Sequence, residues 1–168
     1  MKIVSIIVVI VLIIIGSQAV FTVDQTQQAI VLQLGKPMPG VYKPGLHFKL
    51  PFIQEVIFFP SRLLEFDTEA EEILSRDKKN IVVDNYARWR IVDPLLFFQT
   101  VRNEVGARAR LDDIIYSQLR VELGKVDFAD IISKKRAPIM VAVTKNSDIV
   151  ARAYGIEVDD VRIKRADL

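Results

Sequence analysis

The stretch "IVSIIVVIVLIIIGSQAVF", residues 3 to 21, contains nineteen residues and no charge. No other feature of the chain restricts its fold as much. Wound as a helix it reaches about 28 Å, close to the roughly 30 Å thickness of a bilayer's hydrocarbon core. Its β-branched residues lower helix propensity in water, but lipid forces backbone hydrogen bonds inward and tolerates them. A cleaved signal peptide is the competing reading, since Lys2 gives a basic start and Gly16-Ser17-Gln18-Ala19 supplies small residues. The apolar core is long for such a leader and resumes at Val20-Phe21, which favours a retained membrane anchor over residues 1–22. Lys2 and the amino terminus on one side and Asp24 on the other put the N-terminus in the cytoplasm and the remainder outside it.

Removing Lys2 from the 23 Lys and Arg leaves 22 basic residues against 21 acidic ones, a near-balance without the basic excess of a nucleic-acid binder. There is no cysteine and one histidine, so zinc sites of the Cys/His kind and Cys-His nucleophile pairs are excluded, and no cofactor is expected. About 145 residues remain, enough for one compact domain or two small ones.

Turn residues crowd the region from Gly35 to Pro60 and predict short β elements there. "QQAIVLQLG" (27–35) reads as a strand, "VYKPGLHFKLPF" (41–52) as a second entered from a tight turn, and "QEVIFFP" (54–60) as a third. In the second, Leu46, Phe48 and Leu50 alternate with His47 and Lys49, which predicts an apolar face opposite His47 and makes that histidine an ordinary surface residue. Residues 61–79 read as extended, charged segments. In "NIVVDNYARWRIVDP" (80–94) Ile81, Val83, Ala87, Trp89 and Ile91 share one strand face, interrupted by Asn85, while Asp84, Tyr86, Arg88 and Arg90 lie on the other. Trp89 is thus expected in the core between two solvent-facing arginines.

Asp93-Pro94 supplies a helix cap and first-turn proline, and Asn103 and Gly124 bracket a longer helix with Leu111, Ile114, Ile115, Leu119 and Leu123 at helical spacing. "DFADIIS" (127–133) predicts one or two turns. Ile139, Val143, Val150 and Tyr154 mark a further helix ending at Gly155, and "IEVDDVRIKR" (156–165) a strand whose alternation slips at Asp159-Asp160, the mark of a bulge. The adjacent acids at 71–72 and 112–113 face different directions and form no acid/base pair. No serine lies in a nucleophile-elbow pattern. A Ser-Lys dyad at Ser133 is the remaining enzymatic alternative, tested by activity-probe labelling, and the expectation is a protein that is not an enzyme.

"YKPGLHFKLPFI", "DKKNIVVDNYARWRIVDP", "ARARLDDIIYSQLRVELG" and "YGIEVDDVRIKRADL" together resemble the SPFH superfamily of stomatins, prohibitins and flotillins, and within it the HflK/HflC branch. The resemblance implies an α+β fold: a transmembrane helix, a β-rich SPFH1 subdomain (23–75), and an SPFH2 subdomain (76–168) with helices on an antiparallel sheet. Beyond Leu168 it implies a long coiled coil. The implied function is a non-enzymatic scaffold in the bacterial inner membrane, single-pass, with its SPFH domains on the periplasmic face. It alternates with an HflK-like subunit in a ring enclosing an FtsH-type membrane protease. The alternative is a stomatin-like microdomain organiser that forms homo-oligomers.

Two surfaces are expected. Phe52, Ile53, Ile57, Phe58 and Phe59 put more apolar area on one short segment than a single strand face buries, which points to membrane lipid. Arg108, Arg110, Asp112 and Asp113, with Lys134, Lys135 and Arg136, are candidates for lateral contacts between ring neighbours, since charges of this kind set register and partner choice.

Overall fold

The computed structural model describes residues 16, 18–68, 70–131 and 136–167. The expected transmembrane segment lies almost wholly outside them, as do Ser133, Lys134 and Lys135; among the described residues no helix is long and apolar enough to cross a membrane. The chain divides into two compact units, the first ending at Ser61 and the second beginning at Arg62. That break precedes the boundary expected after residue 75, because the strands in between pair with the long strand of the second unit.

The first unit is built of short strands. β1 (Val20–Val23) pairs antiparallel with β4 (Gly45–Phe48), and β2 (Gln27–Gln33) lies between β3 (Lys36–Pro37) and β5 (Gln54–Pro60). Ala29, Ile30, Val31 and Leu32 of β2, together with Val23 and Phe59, are buried and form its small core. Asp24 holds the β1–β2 turn, accepting hydrogen bonds from the backbone N–H and the hydroxyl of Thr26, both at 2.8 Å. These bonds keep its carboxyl below its ordinary pKa.

The second unit is an antiparallel sheet with helices packed on it, the mixed α+β architecture expected. β8 (Asn80–Ile91) pairs with β9 (Ile156–Asp167) over Val82 to Ile91. β6 (Leu64–Asp67) takes Tyr86 to Trp89, and β7 (Glu71–Leu74) takes Asn80 to Val83. A strand has two edges, so β9 occupies one edge of β8 while β6 and β7 follow one another along the opposite edge. The two-residue period of β8 is realised fully: Ile81, Val83, Asn85, Ala87, Trp89 and Ile91 are buried. Asp159 is the extra residue of a bulge, since Trp89 faces Val158 and Arg88 faces Asp160.

α1 (Pro94–Thr100) is capped by Asp93, whose carboxylate accepts from the N–H groups of Leu95 and Leu96 at 3.1 and 3.0 Å. α2 (Glu104–Leu123) is capped by Asn103 and buries Leu111, Ile114, Ile115, Leu119 and Leu123. α3 (Phe128–Ile131) is a single turn. α4 (Arg136–Ala151) buries Met140, Val143, Ser147 and Ala151 against α2 and β9. Its inward stripe is rotated from the one expected: Ile139 is half-buried and Val150 exposed, because the small residues Ser147 and Ala151 allow the close approach to the sheet.

The outer sheet face carries charge. Arg88 bonds to Asp160 at 3.0 Å, Arg162 bonds to the same carboxylate at 2.6 Å, and Arg90 and Arg152 both bond to Glu157. The hydrogen bond from Arg90 is the main reason the Glu157 carboxyl stays below its ordinary pKa.

Candidate functional site

The alternation of Leu46, Phe48 and Leu50 with His47 is realised, but with the opposite orientation to the one expected. His47 turns inward, its ring 5.6 Å from Phe21 and 5.2 Å from Tyr42 between centroids. Its Nε2 lies 2.6 Å from the carbonyl oxygen of Lys43, to which it donates. The histidine is a structural pin closing its own turn.

The consequence is that the apolar residues of β4 point outward: Leu46 is 63% exposed and Phe48 73%. Val20 and Thr22 of β1 stand opposite them in register, Val20 against Phe48 and Thr22 against Leu46, so they share that outward face. Leu50 continues the run. The turn after it is closed twice, by the Gln54 backbone N–H on the Leu50 carbonyl at 2.9 Å and by the Leu50 N–H on the Gln54 side chain at 2.8 Å. At its tip Phe52 is 80% exposed with φ +66°, and Ile53 beside it is also exposed.

A second tip lies against the first. Leu34 and Gly35 form the two-residue link between β2 and β3 with φ values of +50° and +79°. Such a link favours Asn-Gly, because the first position must also adopt positive φ. Here that position holds leucine, 80% exposed, whose N–H donates to the Ile53 carbonyl at 3.1 Å. Two large apolar side chains in left-handed conformations, both facing outward, oppose what conformation and solvation prefer in water. Local strain of this kind is retained where the position serves a function.

Among the residues expected to meet lipid, Phe52, Ile53 and Phe58 are exposed. Ile57 is half-buried opposite Ile30, and Phe59 belongs to the core. The correction for Phe59 follows from strand geometry, since neighbours on β5 point to opposite sides and only one can be outward. Sequence reasoning missed Leu46, Phe48, Leu50 and Leu34. The available signal for Leu34 was a leucine in a Leu-Gly pair at a hairpin tip.

The charges expected to serve lateral contacts are largely engaged within their own helix. Arg108 pairs with Glu104 at 3.7 Å, Arg110 with Asp113 at 3.8 Å, and the Arg110 guanidinium also lies over the Tyr154 ring at 5.1 Å. Asp112 has a partner as well. Arg136, at the start of α4, is half-buried and lines a groove along β9.

The fold comprises two β-containing units with helices on the second unit's sheet, and residues 21–168 match the SPFH domain / Band 7 family, to which the chain belongs. Its sequence is similar to the modulator of FtsH protease HflC of Escherichia coli K12, with 33% identity over 144 residues, covering 81% of this chain and 43% of that protein. It is also similar to protein HflC of Buchnera aphidicola subsp. Schizaphis graminum, 32% identical over 178 residues, covering 90% of this chain and 57% of the relative. For protein HflC of Haemophilus influenzae the identity is 34% over 134 residues, with 76% and 45% covered. The chain spans about half the length of these curated relatives.

Proposed function

We propose that the chain is a non-enzymatic scaffold subunit of a bacterial inner membrane, an HflC-like partner of an HflK-like subunit in a ring around an FtsH-type protease. The ring limits which substrates reach the protease. The first unit rests on lipid and the second meets its lateral neighbours. The observation that carries this reading is the outward apolar run Leu46, Phe48, Leu50, Phe52 and Ile53 with Leu34. A surface of that kind, in a unit whose first strand continues directly from the uncharged stretch 3–21, is solvated poorly by water and well by acyl chains. Similarity to a modulator of FtsH protease supports the choice of client. Within the ring, this chain supplies position and exclusion rather than chemistry. A scaffold held at fixed height above the bilayer blocks lateral approach to whatever it surrounds.

Membranes solubilised in mild detergent provide the test of partner and client. Tagged full-length protein is expected to retain an HflK-like chain and an FtsH-type protease in one large complex. A ring of this protein alone, free of protease, would overturn the assignment.

A further inference from the structure

The second unit's sheet leaves a stretch of backbone edge open beside a helix, and we infer that the groove there takes an extended peptide of another protein in which two carboxylates flank an apolar residue. The site needs neither the ring contacts nor the lipid-facing tips of the first unit. The groove, about 890 Å³, runs between α4 and β9. Helix and strand lie side by side and antiparallel, since the Thr144 hydroxyl accepts from the Val161 N–H at 3.0 Å and the Asp148 carboxylate from the Val158 N–H at 2.9 Å. Those two bonds close the edge of β9 near its start.

Past Val161 the edge is open. The Val161 N–H points away from β8, and strand alternation turns the N–H and C=O of Ile163 the same way. β9 pairs only with β8 among the described residues, so no strand lies beside this backbone. Unpaired strand edge next to a helix is the setting in which a peptide binds by adding a strand: the main chain supplies the ladder, and alternate side chains supply the selection.

The helix wall sets the sequence that fits. Ala137, Met140 and Val141 form its apolar middle, and Val141, 68% exposed, presents an aliphatic side chain to water. The acids of the groove are engaged: Asp148 accepts also from Arg152, Asp160 from Arg88 and Arg162, and Asp159 stands 4.0 Å from Arg88. Arg136 and Lys145 line the groove without an ion pair among the described residues, so its unmatched charge is positive. They are nine positions apart on α4, about 13.5 Å along the helix axis, which an extended chain covers in about four residues. Residues i, i+2 and i+4 of a strand share a face. A peptide reading acid-x-apolar-x-acid therefore sets its carboxylates on Arg136 and Lys145 and its apolar side chain on Met140 and Val141. The charges select the register, and the apolar side chain supplies the burial.

The probe is the dye-labelled peptide Ser-Glu-Thr-Leu-Thr-Glu-Ser, titrated by fluorescence anisotropy against the full 168-residue protein in nanodiscs, with empty nanodiscs as the blank. Saturable binding is expected to the protein-bearing discs only. Val141→Asp is expected to weaken it about tenfold, and Val105→Asp, at an exposed valine of α2 off the groove, to leave it unchanged. Arg136→Glu with Lys145→Glu is expected to reverse the preference, so that the peptide carrying lysines in place of its glutamates binds the more tightly; an unfolded variant binds neither. N-methylation of the peptide backbone removes the ladder and is expected to abolish binding. Equal binding of the methylated peptide would make the groove a site for an amphiphile, and self-association of the protein that Val141→Asp abolishes would make a second copy its occupant. Either result, an absence of saturable binding, or no reversal in the charge-swapped protein overturns the peptide site.

Discussion

Trp89→Ala is expected to lower the stability of the second unit by about 3–5 kcal/mol, the range for removing a large aromatic from a packed core. The indole is fully buried and stacks on Phe97 with centroids 6.3 Å apart and planes 19° from parallel. It joins the C-terminal end of β8 to α1, so the cavity would open between sheet and helix, where neither moves without breaking the Asp93 cap. Trp89→Phe separates volume from polarity. The indole Nε1 is buried without a hydrogen-bond partner among the described residues, so phenylalanine gives up no hydrogen bond and is expected to cost about 1–2 kcal/mol, near a conservative core swap. Urea unfolding followed by circular dichroism measures both; a small loss in Trp89→Ala would place the indole outside the cooperative core.

Gly155→Ala is expected to be nearly as damaging, at about 2–5 kcal/mol from the left-handed backbone and the forced repacking together. Gly155 has φ +71°, and a Cβ there would stand 2.3 Å from the Asp93 carbonyl oxygen and 2.9 Å from the Phe97 nitrogen. Those two atoms form the first hydrogen bond of α1, at 2.9 Å, and the Gly155 carbonyl itself receives the N–H groups of Val92 and Asp93. The glycine is therefore the point where the end of β8, the start of α1 and the start of β9 converge. Backbone atoms on all sides cannot yield as a flexible side chain would. Gly35→Ala is the contrasting control, with similarly positive φ but open space around it, and is expected to cost about 1–2 kcal/mol, the conformational penalty alone.

Features governed by neighbouring residues were legible in the sequence. The caps at Asp93 and Asn103, the stop at Gly124, the alternation of β8 and the slip at Asp159 all follow from chemistry within a few residues. Orientation was not legible in the first unit. Alternation tells which side chains share a face, but Leu46 and Phe48 face outward because the aromatic cluster of Phe21, Tyr42 and His47 fills the inner side, and that cluster is assembled from two separate stretches, Phe21 coming from β1. The division after Ser61 depends on β6 and β7 finding β8, a pairing at long range. Of the candidate lipid surface, Phe52, Ile53 and Phe58 were readable from local apolar excess. Leu34 became part of it only through its hydrogen bond to Ile53.

Whether the first unit rests on lipid is decided most directly by an environment-sensitive fluorophore at residue 52. With no native cysteine, Phe52→Cys labels at a single place. Seating of the Leu34–Phe52 tips in the bilayer predicts a blue-shifted emission in proteoliposomes and strong quenching by nitroxide-bearing lipids, with both reduced when Leu34 and Ile53 are replaced by aspartate. Emission at the fully aqueous wavelength, unaffected by the quencher lipids, would contradict lipid seating and remove the observation on which the scaffold's position at the membrane rests.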